Sequence, residues 1–317
     1  MSTVAARYQQ ERMPERYSTR RMYVCNLKNH VLPRWGHLPI SSLLRAYEID
    51  IWLRQLTLSA KTKNNLKSLL SVLIDCAMLW EYLPASQNPL RGNGRGDRGL
   101  ITIKGASKRK KRLGRVLTFE EFDRLLHCMV DEPWRTMLLI GFGIGGRFSE
   151  IIGLKWSDID WTAKQDFTFN RSVVLNHVDE VKTSTSGDPL PLNEALLALL
   201  EDWRKQTEFK GQGDWIFASP FTAGATPYSY CAFWKKLSAA ASAAGLGHVT
   251  SHSARHSYRT WLDNIGTPIG IIQRLMRHAD IRTTMNTYGG ALPDSMNQAH
   301  GNVVEMMLRN ARTGAVV

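Results

Sequence analysis

Cysteine is scarce. The four cysteines of this 317-residue chain, Cys25, Cys76, Cys128 and Cys231, are widely scattered, and no two form a CxxC pair. That spacing argues against a zinc site and a disulfide framework, and it suits a reducing compartment. Long apolar runs are missing too. No stretch of ~18 uncharged apolar residues occurs, so no membrane span is expected. The opening residues, MSTVAARYQQERMPERYSTRR, hold no apolar signal core, which points away from secretion and toward the cytoplasm. Carboxylates do not cluster. Asp158 and Asp160 read as a turn after LKW, so no metal centre is expected. No internal repeat is visible.

Acid is short in one region above all. Residues 1–115 hold 22 Lys and Arg against 7 Asp and Glu, whereas residues 116–317 hold 19 against 21, so the chain's net charge of +13 combines +15 with −2. A basic excess confined to one third of a chain points to a polyanion partner, most simply nucleic acid. The plain alternative is a protein with a basic face. Hydrophobic content is 43%, enough for a true core, and the length suits two domains.

Punctuation in the sequence suggests the boundaries. Residues 98–115 carry eight basic residues and no acid, and NPLRGNGRGDRG stands just before them. Glycine, proline and charge of one sign resist packing, so 97–115 reads as a basic interdomain linker. Within it Lys108, Arg109, Lys110, Lys111 and Arg112 are candidate DNA contacts. Residues 1–14 read as an N-terminal extension and 15–96 as a helical domain. RRMYVCNLKNHVL, SSLLRAYEIDIWLRQL and SAKTKNNLKSLLSVLIDCAMLWEYL each carry apolar residues at helical spacing. The third of these bears Lys61, Lys63, Asn64, Asn65 and Lys67 on polar positions. They suit phosphate contact, although any helix needs a solvated face.

Residues 116–290 mix classes. Thr118 and Glu121 form a capping box before a helix expected at about 119–130, and a second helix is expected at 134–146. DFTFNRSVV reads as a strand through Phe167 and Phe169. DEVKTSTSGDPLPL reads as two short strands around a turn, and WIFAS as a further strand. Asn193 caps a helix carrying Leu196, Leu197, Leu200 and Trp203. Residues 227–244 form another helix, and SARHSYRTWLDNIG another that ends at a glycine signal. TPIGIIQRLMRH has Thr267 as N-cap and Pro268 at the first helical position. The fold class is multidomain and mainly α, with a small antiparallel sheet in the second domain. Residues 291–317 form a tail whose Val303, Val304, Met306 and Met307 cluster on a short helix.

Four segments of this second domain carry unusual chemistry: GGRFSEIIGLKWSDID with Arg147, VKTSTSGDPLPL with Lys182, HSARHSYRT with His252 and Arg255, and RLMRHADIRTTMNTYGG with His278 and Tyr288. Each has a bland reading by itself. Arg147 could pair with Glu150 along a helix, Lys182 could be an exposed hairpin lysine, His252 an interior histidine and Tyr288 a core ring.

Together and in this order, the segments resemble the tyrosine recombinases, the phage integrase family. The resemblance covers nearly the whole chain. Residues 15–96 look like the family's helical, SAM-like core-binding domain, and 116–290 like its catalytic domain. The ten-residue step from His278 to Tyr288 is similar to a usual spacing of the family. The resemblance implies a metal- and ATP-independent enzyme without a cofactor. Tyr288 would attack a DNA phosphodiester and leave a 3′-phosphotyrosine. Arg147 and Arg255 would clamp the non-bridging oxygens, since guanidinium forks match phosphate and stay charged. Lys182 would protonate the leaving 5′-oxygen, His252 would accept or share the proton or simply bind phosphate, and His278 would donate to the phosphate. Glu150 either orients pocket groups or makes an ordinary helix salt bridge.

The implied partner is double-stranded DNA at attachment or core sites, bound by a homotetramer. A monomeric free state, accessory directionality proteins and DNA-bending proteins stay open, as does docking of the tail on its own or a neighbouring subunit. The implied task is integration or excision of a phage or other mobile element. Two other readings remain: DNA relaxation of the type IB topoisomerase kind, and a silent DNA-binding repressor. Three residues depart from the family pattern. Gly146 and Ala254 replace apolar residues, and Arg277 replaces a glycine before His278. If that glycine takes a left-handed turn, Arg277 must strain or alter it.

Overall fold

The computed structural model describes residues 1–91, 101, 103, 115–162, 166–180 and 189–278. The chain divides into two compact units, Met1–Arg112 and Leu113–Val317. Among the described residues no helix is long and apolar enough to cross a membrane.

The first unit is helical. Helices α1 (Ser2–Glu11), α2 (Tyr17–Asn26), α3 (Leu32–Trp35), α4 (Ala46–Gln55) and α5 (Ala60–Leu79) are joined by a π turn at Leu27–Val31 and a 3-10 turn at Ile40–Leu44. α5 is the spine. Ser59 caps it by accepting from the Thr62 amide, the N-cap geometry that hydroxyl residues favour. Its stripe of Leu66, Leu69, Leu70, Leu73, Ile74 and Ala77 is buried, the spacing of a helix with one apolar face. The N-terminal residues do not trail away as a bare extension: α1 packs against α5 and buries Val4, Ala5 and Tyr8. Trp35 and Trp52 meet edge to face at 5.8 Å. Beyond α5, Asn88 donates to the Ser71 carbonyl and to Asp75 Oδ1, which ties the departing chain back to the helix.

The second unit begins with α6 (Phe119–Cys128), α7 (Trp134–Ile144), α8 (Phe148–Ile151) and a 3-10 turn at Trp156–Asp158. Strands β1 (Asp166–Phe167), β2 (Arg171–Val174), β3 (His177–Glu180) and β4 (Leu190–Pro191) follow, then α9 (Glu194–Gln206), α10 (Tyr230–Ala243), α11 (Ser251–Asn264) and α12 (Ile269–Leu275). The expected capping box forms: Glu121 N donates to Thr118 Oγ1, and Thr118 N to Glu121 Oε2. Asn193 caps α9 as expected, accepting from Ala195 N. The fold is mainly α with a small antiparallel β component, here two separate pairs, β1 with β4 and β2 with β3.

Four readings of local structure are corrected. DFTFNRSVV is two strands, not one, because the chain leaves β1 at Phe167 and pairs again only from Arg171. WIFAS is not a strand: Trp215 and Ala218 make isolated bridges to Lys155 and Pro227, with a turn between them. Its apolar character reflects burial, which periodicity cannot tell from strand pairing. The 227–244 helix starts at Tyr230, because Ser229 takes the N-cap by accepting from Ala232 N. The last helix starts at Ile269, with Pro268 rather than Thr267 at the N-cap.

The core of this unit places the site. α7 is apolar on almost every side and lies against α11. Ala254 is buried on α11, and a Cβ at Gly141 of α7 would sit 3.8 Å from its own. A small residue at 254 thus lets the two helices approach closely.

Candidate active site

α7 ends in a sharp corner from which the site is built. Gly145 takes φ +58°, the left-handed C-cap conformation, and a Cβ there would lie 2.2 Å from the Tyr258 ring. Only glycine fits both demands. The corner aims the Gly145 carbonyl at α11, where it accepts from Arg255 Nη1 at 2.8 Å. Arg255 Nη2 donates to the Met276 carbonyl just past α12. The guanidinium is therefore fixed by two carbonyls from different elements. Burial, then the charges of Arg147 and Arg277, lower its pKa to about 9, which leaves it charged at neutral pH.

Arg147 follows two residues after the corner, as N-cap of α8. Its Nη1 donates to Glu150 Oε1 at 2.8 Å, and its backbone N–H donates to Glu150 Oε2 at 3.0 Å. Arg277 Nη2 donates to the same Oε2 at 2.7 Å. Burial would raise the Glu150 carboxyl, but Arg277 and Arg147 together outweigh it and hold the pKa below the ordinary carboxylate value. Glu150 makes the expected salt bridge with Arg147 and a second one with Arg277.

Two histidines complete the described part. His252 stands in the first turn of α11, exposed to solvent. Crowding by neighbouring atoms, then the charges of Arg255 and Arg147, lower its pKa. His278 is half-buried, and burial followed by the charges of four arginines, Arg255 and Arg147 foremost, lowers its pKa to about 4. Both rings are neutral at physiological pH. A neutral imidazole can accept a proton or donate one N–H. His278 is held at the backbone, where its N–H reaches the Gln273 carbonyl and its own carbonyl accepts from Gln273 Nε2.

The departures Gly146 and Arg277 lie against the same ring, that of Phe169. A Cβ at Gly146 would stand 2.8 Å from Phe169 Cζ. The Arg277 guanidinium lies 4.0 Å from the centroid of the same ring. Arg277 keeps the left-handed corner, at φ +51°, rather than altering it. Its ion pair with Glu150 is the feature of the pocket that the sequence pattern did not reveal. The available signal was an arginine at a corner that favours glycine.

The structure brings Arg147, Glu150, His252, Arg255, Arg277 and His278 within reach of one another's charge. Lys182 and Tyr288 lie outside the described residues, as do Lys108, Arg109, Lys110, Lys111, Arg112 and the tail 291–317. Of the first-unit candidates, Lys61 is exposed, while Lys63, Asn64 and Lys67 are half-buried. Lys63 Nζ donates to the Arg54 carbonyl at 3.3 Å, and Lys67 Nζ to the Ile101 carbonyl at 2.7 Å. Asp158 is buried and structural: it accepts from Lys155 N, Asn170 Nδ2 and Arg171 Nη1. Among the described residues no three His, Cys, Asp or Glu side chains gather as a metal-holding group.

A helical unit with a cationic arginine–histidine pocket is the architecture of one class of DNA strand-transfer enzymes, and comparison with known proteins agrees. Residues 115–292 match the model of the phage integrase family. The chain belongs to that family and is a tyrosine recombinase. It is 24% identical over 283 residues to a XerC-like tyrosine recombinase of Caldanaerobacter subterraneus subsp. tengcongensis, covering 81% of this chain and 70% of that one. It is 29% identical over 187 residues to the XerD tyrosine recombinase of Halalkalibacterium halodurans, covering 56% of this chain and 58% of that one. Its fold is similar to that of the Tn1549 transposon integrase solved in complex with a circular intermediate DNA, with a TM-score of 0.73 and 20% identity over 95% of this chain and 98% of that one.

Proposed function

We propose that the protein is a site-specific recombinase that cuts and rejoins DNA through a covalent phosphotyrosine at Tyr288. The Tyr288 phenol oxygen attacks phosphorus, and its proton passes to His252. A phosphorus–oxygen bond to the tyrosine forms as the bond to the 5′-oxygen breaks, and Lys182 supplies the proton that the 5′-oxygen takes. The 5′-hydroxyl of a partner strand then reverses the sequence and frees the tyrosine. The ester bond energy is conserved in the phosphotyrosine, so no ATP is consumed.

One observation supports this reading most. Arg147 and Arg255 are preset cations, the first held by Glu150 and the second by two carbonyls, beside histidines kept neutral by desolvation on burial and then by the arginine charges. Negative charge grows on the phosphate oxygens as phosphorus becomes five-coordinate. Fixed donors aimed at developing charge are the largest catalytic contribution in many enzymes. A phenol with pKa ~10 also needs nearby positive charge to attack at neutral pH.

DNA is the partner, and the basic excess of residues 1–115 provides its phosphate contacts. The likeness to a transposon integrase favours the ends of a mobile element as the target. Exchange between two duplexes cuts four strands, so four subunits form the active assembly, in the cytoplasm where the DNA lies.

The test begins by selecting a bound site from a random-sequence duplex library and nicking it beside the cleavage position. The protein should form an SDS-resistant adduct on this duplex in the presence of EDTA, and Tyr288→Phe should bind the duplex but form none. An adduct that persists in Tyr288→Phe would sink the nucleophile assignment.

A further inference from the structure

The Arg277 side chain is 1% exposed, so it cannot touch a DNA phosphate outside the protein. It is a cation sealed beside the pocket, and burying an unpaired cation is costly. Its Nη2 donates to Glu150 Oε2 and its face rests on Phe169, while Nε and Nη1 have no hydrogen-bond partner among the described residues. Glu150 supplies the compensating charge.

Glu150 is buried in turn, with its side chain 4% exposed. Oε2 takes Arg277 and the Arg147 N–H, while Oε1 takes the Arg147 guanidinium. Arg147 alone of the three opens outward, its side chain 32% exposed. Burial therefore runs in order: Arg277 innermost, Glu150 between, Arg147 at the face that a phosphate reaches.

We propose that Arg277 is a positioning residue for strand cleavage: it fixes Glu150, and Glu150 fixes the Arg147 guanidinium. The inference rests on the phosphate-clamping role given to Arg147 above. With Oε2 held by the Arg147 N–H alone, the carboxylate can still swing about that single bond. Arg277 adds a second donor to the same oxygen from a distant segment, and Oε1 is then left facing the Arg147 guanidinium in one direction. The same contact accounts for an arginine at φ +51°, where glycine is the unstrained choice. From that corner the ion pair and the Phe169 ring hold the side chain.

The experiment measures single-turnover adduct formation at saturating nicked duplex, with DNA affinity and thermal melting in parallel. The proteins are wild type, R277M, R277K, E150Q and the double variant R277M/E150Q. R277M keeps the buried stem but loses the charge, and it should slow adduct formation about tenfold or more, the scale of a misplaced catalytic group. Its DNA affinity should change less than about twofold, because a sealed side chain contributes no phosphate contact. R277K should recover most of the rate, and R277M/E150Q should be no slower than E150Q. Wild-type cleavage by R277M, multiplicative effects in the double variant, or a fall in affinity matching the fall in rate would each overturn the proposal. If R277M does not melt cooperatively, R277G takes its place with the same expected and opposing outcomes, since glycine suits the corner. A wild-type protein that forms no adduct would sink the recombinase reading itself, whereas wild-type adduct with an unaffected R277M sinks this inference alone.

Discussion

Arg277 and Glu150 stand 127 residues apart in the chain and are joined by a 2.7 Å ion pair, each side chain almost sealed from solvent. The pair ties the chain just past α12 to the start of α8. Arg255 crosses the same ground, from α11 to the carbonyls of Gly145 and Met276. Three arginines and one glutamate thus lock the ends of four helices around a single pocket. The pocket keeps an excess of positive charge, as a phosphate site requires, without leaving its innermost cation unpaired.

Gly145 carries the corner on which this depends. Gly145→Ala must accept a left-handed backbone and push the Tyr258 ring aside, since the added Cβ would meet it at 2.2 Å. The two effects together should cost about 3 kcal/mol. Urea unfolding of the DNA-free protein measures this. A variant within about 0.5 kcal/mol of wild type, the range of an inert surface change, would contradict the corner's role.

The histidines make stability depend on pH. His278 titrates at about 4 in the folded protein against an ordinary 6.5. Below the ordinary value the unfolded chain takes a proton that the folded chain refuses, so stability falls as pH drops from about 6.5 toward 4 and then levels off. His252 and His256 are lowered too and act in the same direction. The melting temperature across this window should fall less in His278→Gln than in wild type. A bound phosphate opposes the arginine charges and raises the histidine pKa values, so DNA binding near pH 5.5 should take up protons. Calorimetry in two buffers of different ionisation enthalpy reads that uptake, and its absence would argue against phosphate contact by the histidines.

Lys182 lies outside the described residues, yet its assigned chemistry is separable. Lys182→Ala should slow cleavage of an ordinary phosphodiester on the order of a hundredfold or more, the contribution of a general acid. A substrate with sulfur at the bridging 5′ position releases a thiolate, which needs little help from an acid. That substrate should be cleaved by the variant at nearly the wild-type rate. Equal loss on both substrates would remove Lys182 from the role.

The charge asymmetry predicts steep salt dependence. With six to ten phosphate contacts, affinity should fall on the order of a thousandfold or more between 50 and 200 mM salt. Lys67→Ala should weaken binding less than Lys61→Ala, because the Lys67 ammonium is already bonded to the Ile101 carbonyl. Filter binding of Lys61→Ala and Lys67→Ala across salt concentrations checks both points, and a flat response in the wild type would contradict the role given to residues 1–115.

Local features were readable from the chain. The capping box at Thr118 and the cap at Asn193 involve partners two or three residues away, so nearby sequence carries their signal. The mainly helical class followed from apolar spacing for the same reason. WIFAS misled because an apolar run records burial, and Trp215 to Ala218 are buried in a turn. The β1–β2 break was hidden because alternation at Phe167 and Phe169 continues across the point where pairing stops.

By itself, the sequence determined the helical class, the basic first third, the family likeness and the candidates Arg147, Arg255, His252 and His278, but not Arg277. These rest on composition, on short spacings and on residue types whose chemistry is their own. The tertiary structure alone decided why Gly146 and Arg277 depart from the usual pattern. Phe169 occupies the space beside Gly146 and supports Arg277, while Glu150 balances the charge that Arg277 brings inside. No local pattern encodes such a set, because its members meet only when distant segments pack and a buried charge must find its partner.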